Sequence, residues 1–142
     1  MIVDANILIN SAIEDLSHHV TASQWLTNAL NGSARVGIPW VSLLAFQRIT
    51  TNARAFDQPL RVDEAWAFIS DLLSADLVWI PSPGPRHAEI LERQLLRAHA
   101  TGNLVTDAHI AALAVEYGTP VCSFDSDFAH FTEVTWFNPA RD

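Results

Sequence analysis

Lysine is absent from this chain: all eight basic residues are arginines. A bias of this kind is typical of proteins encoded in GC-rich DNA, where arginine codons are frequent, but the absence still excludes one function class. A phosphoryl-accepting, receiver-like domain gathers aspartates at strand ends and requires a lysine beside them. Cysteine is nearly absent too. The one thiol, Cys122, has no partner for an intramolecular disulfide, so nothing calls for an oxidising compartment, and it reads as a small core residue. No apolar run approaches the roughly 20 residues of a membrane span; "IAALAV" is among the longest. The opening "MIVDANILIN" has no basic segment ahead of an apolar one, so no signal peptide is expected and the cytoplasm is the expected location. Positive charge is scarce overall. The formal net charge of −8 argues against gripping nucleic acid by bulk electrostatics, an objection that any nucleic-acid function must answer.

What is present is a globular chain. Its 142 residues are 49% apolar and 17% charged, enough for one core-bearing domain spanning 1–142, with no internal repeat, low-complexity tract or linker. Five strand-like pieces are expected at 2–3, 35–39, 77–81, 120–124 and 134–137. Helical periodicity fills the spaces between them. In "RVDEAWAFISDLL", Val62, Ala65, Trp66, Ile69, Leu72 and Leu73 share a face opposite Asp63, Glu64, Ser70 and Asp71. A second such face runs from His87 to Ala98, and further helices are expected near 6–15, 19–31, 41–54, 105–117 and 126–131. Strands alternating with helices predict an α/β sandwich around a mostly parallel sheet. "PSPGPR" at 81–86 is a turn-rich connection within it.

Sites in such folds form beyond the carboxyl ends of the strands. Asp4 follows "MIV", Asp125 and Asp127 follow "VCSF", and Asp107 opens the helix "VTDAHIAALAVEYG" on the face of Ile110, Ala111 and Ala114. Each acid taken singly has a plain explanation as a helix cap or a first-turn acid favoured by the helix dipole. Together, four acids at one sheet edge repel each other unless something compensates. A divalent cation does so, since hard oxygen ligands suit magnesium or manganese. Such ions also promote phosphodiester hydrolysis and locally invert the sign a phosphate meets.

The segments "MIVDANILIN", "IPWVSLLAFQRITTN", "GNLVTDAHIAALAVEYG", "VCSFDSDFAHF" and "VTWFNP" together resemble the PIN-domain ribonucleases, specifically the VapC toxins of toxin–antitoxin pairs, over essentially the whole chain. The resemblance implies a three-layer α/β/α sandwich with a central five-stranded sheet. It implies a magnesium-dependent endoribonuclease, with manganese able to substitute, usually homodimeric and inhibited by a cognate VapB-type antitoxin. Asp4, Asp107, Asp125 and Asp127 match the family's catalytic and metal-binding acids. Asn6 matches a small polar residue near the metal. Ser123 matches a Ser or Thr whose hydroxyl bonds a carboxylate or phosphate; a strand-end hydroxyl bonded to backbone is the other reading.

One departure stands out. The glutamate that the family usually carries on the helix after the second strand aligns with Ala45, and no acid lies between Asp15 and Asp57 to replace it. Two functions therefore compete: a metal-dependent endoribonuclease toxin, and a catalytically weakened module that binds RNA or antitoxin. Arg48 and Arg54 are candidate contacts to RNA phosphates or to antitoxin, or else part of a solvated helix face. The adjacent His18 and His19 are poorly placed to share one ion, and His99 and His109 lie nearest the acidic edge in sequence. Trp66, on an apolar helix face, is expected in the core or at a dimer interface.

Overall fold

Residues 1–141 are described by a computed structural model. The elements run β1 (Ile2–Val3), α1 (Ala5–Ala12), α2 (His19–Leu30), β2 (Val36–Gly37), α3 (Trp40–Thr50), α4 (Val62–Ser74), β3 (Val78–Trp79), α5 (His87–Arg97), α6 (Leu104–Tyr117), β4 (Val121–Cys122) and β5 (Trp136–Phe137). Strand order is β3-β2-β1-β4-β5, and every pairing is parallel. All carboxyl ends therefore point the same way.

The layering follows from the two-residue period of a strand. Val3 and Cys122 face a core built with Ile7, Leu8, Leu43, Phe46 and Ile69 from α1, α3 and α4. Their chain neighbours Ile2 and Val121 face the opposite way, into a core with Ala108, Ile110, Ala111 and Leu113 of α6. Two hydrophobic cores on opposite faces of one sheet make the α/β/α sandwich. The expected thiol role holds as well, since Cys122 is buried. No helix is long and apolar enough to cross a membrane among the described residues.

Four of the expected strands shorten to two residues each, and three helical segments come out shorter or different. The first helix ends at Ala12 rather than 15, because Ile13 turns to extended backbone (φ −105°, ψ 106°). The third ends at Thr50 rather than 54; there Asn52 Oδ1 accepts the Arg54 N–H, an Asx turn that competes with helix continuation. The segment near 126–131 is a 3₁₀ turn over Ser126–His130 instead of an α-helix. On α4 only Ala65, Ile69 and Leu72 are buried, whereas Val62, Trp66 and Leu73 remain exposed. The expected apolar face is thus half uncovered.

Two helix ends close through left-handed residues. Gly118 (φ 61°) follows α6, with Thr119 N–H donating to the Ala114 carbonyl; His99 (φ 48°) follows α5, with Ala100 N–H donating to the Leu95 carbonyl. A Cβ is disfavoured at such a position and costs about 1 kcal/mol relative to glycine. His99→Gly is therefore expected to stabilise the fold by about 0.5–1 kcal/mol, and Gly118→Ala to destabilise it by about 1 kcal/mol, both read from urea unfolding midpoints.

A candidate acidic metal centre

β1 and β4 are neighbours, with Val3 level with Cys122. The next residues along, Asp4 and Ser123, consequently emerge side by side at the carboxyl edge. The fully buried Ser123 hydroxyl donates to Asp4 Oδ2 (2.7 Å) and accepts from Asn6 Nδ2 (2.8 Å) and from the Asp125 N–H (3.0 Å). One donor and two lone pairs are all a hydroxyl has, so Ser123 is saturated. Asn6 Oδ1 in turn accepts the Phe124 N–H (3.2 Å). Both readings offered for Ser123 on sequence grounds hold at once: the hydroxyl is bonded to a carboxylate, Asp4, and to backbone, the Asp125 N–H. Two further groups secure the strand end. Trp136 Nε1 donates to the Ser123 carbonyl (2.8 Å), and Asn138 Nδ2 to the Phe124 carbonyl (3.4 Å). Sequence reasoning took "VTWFNP" as a strand and a family-like segment, and missed these anchors.

The capping explanations are partly realised. Asp4 caps α1, its Oδ1 accepting the Ala5 N–H (2.7 Å), and Asp125 Oδ1 accepts the Asp127 N–H (2.9 Å) at the start of the 3₁₀ turn. Asp107 does not cap. It lies in the first turn of α6, where the helix dipole favours an acid, and its carboxylate makes no hydrogen bond among the described residues. Its oxygens instead face other acids. Asp107, Asp125 and Asp127 each offer a carboxylate oxygen within 4.8 Å of the others, the spacing of a shared cation site. Asp4 lies just behind this triad, committed to Ser123 and the Ala5 N–H.

Electrostatics agree with the geometry. The half-buried Asp107 carboxyl is pushed up to about 7, first by burial and then by Asp4, Asp125 and Asp127. Buried Asp4 also lies above the ordinary carboxyl range. Burial raises it most, its bonds from Ser123 and Ala5 oppose the rise, and Asp125 adds to it. Asp107 thus senses the other three acids, and three of the four meet at ligand spacing. The donor set is all oxygen and carries surplus negative charge, which fits a hard divalent cation.

The remaining candidates fall elsewhere. Ala45 lines a groove of about 610 Å³ with Val41, Leu44, Arg48, Val62 and Thr106, the last adjoining Asp107. Arg48 and Arg54 are exposed and form no ion pair among the described residues. His109 turns away from the acids toward α5, its Nδ1 2.9 Å from Nε2 of buried His87, and its pKa is lowered by burial and then by His87. His99 is explained by its backbone position after α5.

Comparison with known proteins places this geometry in context. The pattern of the PIN-domain family matches residues 1–134. Ribonuclease VapC37 of Mycobacterium tuberculosis is 44% identical over 138 residues, 97% of this chain and 96% of the relative. Ribonuclease VapC33 of the same species is 34% identical over 142 residues, 100% of this chain and 99% of the relative. Among solved structures, M. tuberculosis VapC20, described as a Sarcin-Ricin loop cleaving toxin, superposes with a TM-score of 0.68 at 20% identity, covering 94% of this chain and 98% of that one. VapBC2 from Rickettsia felis, bound to a DNA fragment from its promoter, gives 0.72 at 13% identity over 96% of both chains. Those structural likenesses establish the fold.

The raised acids have a consequence for stability. An unfolded aspartate titrates near 3.8 and folded Asp107 near 7, so between these pH values the folded state binds more protons. Asp107 therefore favours folding below about pH 4, and that contribution is lost as pH rises to about 7. In chelated protein, Asp107→Asn should match the wild type near pH 4. Near pH 8 it should be more stable by about 1–2 kcal/mol, allowing for solvent screening at a half-exposed group. Millimolar magnesium should shrink that gap, as read by thermal unfolding across pH.

Proposed function

Because the chain belongs to the PIN-domain family, in its VapC ribonuclease branch, we propose that it is a metal-dependent endoribonuclease toxin that hydrolyses RNA phosphodiester bonds at the acidic edge. The observation that carries this reading is the Asp107, Asp125 and Asp127 triad, backed by Asp4. These residues would hold magnesium, or manganese in its place. The cation supplies charge neutralisation at the edge and Lewis acidity toward a phosphate oxygen.

The chain's own groups do the positioning. Ser123 and the Ala5 N–H fix Asp4 through both of its oxygens, so its carboxylate cannot swing. The Asp127 N–H fixes Asp125 in the same manner through Oδ1. Hydrolysis adds water to phosphorus as a P–O bond breaks, and a carboxylate at this edge accepts the proton the water loses. Arg48, exposed and without an ion-pair partner among the described residues, is placed in the groove beside Thr106 to meet a backbone phosphate or an antitoxin carboxylate. Arg54 is the second such candidate.

Partner binding completes the proposal. A VapB-type antitoxin would be the inhibitor, as several solved relatives are themselves toxin–antitoxin assemblies. Exposed Leu44, Val62 and Trp66 form an apolar face on α3 and α4 that supports a homodimer.

The alternative, a weakened binding module, is favoured by one feature, Ala45 at the position of the expected glutamate. Purified protein free of antitoxin, incubated with cellular RNA and magnesium or manganese, distinguishes the two. Wild type should cleave, and Asp4→Asn or Asp107→Asn should lose at least about a hundredfold in rate, on the scale of lost electrostatic stabilisation in a site. Equal cleavage by wild type and Asp4→Asn rules the site out. Little change in Ala45→Glu supports a working four-acid edge, whereas a large gain supports the weakened module. For the dimer, Leu44→Glu with Trp66→Glu should shift sedimentation toward monomer.

A further inference from the structure

The ring of His18 lies flat on that of Phe124, centroids 4.5 Å apart and planes within 16°. This pair has no part in the metal centre, yet Phe124 stands between Ser123 and Asp125, so the stack is carried by the same segment as the last acids of the edge. His18 is exposed and occupies the N-cap position of α2, but its side chain caps nothing. Its neighbour His19 is used conventionally, Nδ1 lying 2.9 Å from the Asn10 carbonyl and 3.4 Å from the Ser23 hydroxyl. By contrast, the His18 imidazole makes no hydrogen bond among the described residues; its one recorded contact is the aromatic face of Phe124.

Phe124 is a firm base for that ring. Its N–H donates to Asn6 and its carbonyl accepts from Asn138, so the backbone is held on both sides. Its half-buried side chain packs on the core beneath α1 and α2. An exposed flat ring, fixed from below and without a hydrogen bond among the described residues, offers a planar surface seated on the segment that leads into Asp125 and Asp127. Planar surfaces of this kind take other planar rings by stacking.

We propose that His18, seated on Phe124, is a stacking subsite for one unpaired nucleobase of the strand bound at the acidic edge. The proposal rests on the nuclease reading and deepens it: the substrate class is single-stranded RNA or an unpaired loop. In a duplex both faces of a base are already covered by its neighbours, so only an unstacked base can present a face to His18. Stacking tolerates every base, so the subsite contributes affinity and placement rather than sequence choice.

The test uses the full-length protein and a short single-stranded oligoribonucleotide carrying 2-aminopurine, whose fluorescence falls when the base stacks. Binding is read in calcium, and cleavage of the same strand in magnesium. His18→Ala should raise Kd about five- to thirtyfold and relieve the quenching, in line with loss of one stacked base. In cleavage it should raise KM with little change in kcat. His18→Phe, which keeps a flat ring without the imidazole nitrogens, should retain both binding and quenching. Wild type and His18→Ala should bind a duplex of the same sequence equally. If wild type cleaves and His18→Ala binds, quenches and cleaves identically, the subsite is refuted and the nuclease reading stands. If His18→Phe fails as badly as His18→Ala, stacking is refuted as the basis of the contact. If wild type neither binds nor cleaves RNA, the nuclease reading fails and the subsite with it.

Discussion

The hydrogen bond from Ser123 to Asp4 joins two strands that meet only in space, 119 positions apart in the chain, and everything at the carboxyl edge is arranged around it. Pairing of β1 with β4 brings the two residues level; the hydroxyl then ties the first acid to the loop that carries Asp125 and Asp127. Because Ser123 also accepts from Asn6 and from the Asp125 N–H, the same oxygen aligns the first helix and the last acidic turn. An alanine there would leave a buried carboxylate, an amide and a backbone N–H each short of a partner, and unmet buried polar groups cost on the order of 1–3 kcal/mol apiece. Fold and site are one structure at this point.

That arrangement carries an energetic conflict. Burial and mutual repulsion raise Asp107 to about 7 and lift Asp4 as well, so the edge opposes folding when its acids are ionised. The core offsets it: Ile2, Val3, Val121 and Cys122 are fully buried on alternating faces, and each such side chain contributes about 1–3 kcal/mol. Strain of this kind at one edge of an otherwise well-packed sheet is what sequence and physical rules lead one to expect of a functional site.

The parts legible in the sequence were those written in local pattern. Alternating apolar strands and amphipathic helices announced the layers, and each acid was found because it directly follows a strand or opens a helix. Contacts between distant residues were not legible in that way. Nothing in the chain says that Asp4 would be engaged by Ser123 and the Ala5 N–H while the other three meet at ligand spacing, since that depends on contacts between distant residues. The stacking of His18 on Phe124 is equally invisible, because the two belong to different segments with no shared period. Helix ends were overrun where a side chain competed for the backbone, as at Asn52. His109 was placed near the acids by counting along α6; a helix turns about 100° per residue, and two residues carry it to a different face, toward His87.

The missing glutamate bears on how the edge balances its charge. Ala45 shares its groove with the apolar Val41, Leu44 and Val62 and with the polar Gln47, Arg48 and Thr51, and none of these carries a negative charge. An acid at 45 would have added negative charge to the groove that runs past Thr106, next in the chain to Asp107. With alanine there, the negative charge concentrates on the β4 side, at Asp125 and Asp127, while the α3 side presents an arginine. The edge is thus polarised, acidic across β4 and α6 and basic at the end of α3. Under the proposed nuclease reading, a positive group at this edge lessens the repulsion implied by the chain's net charge of −8.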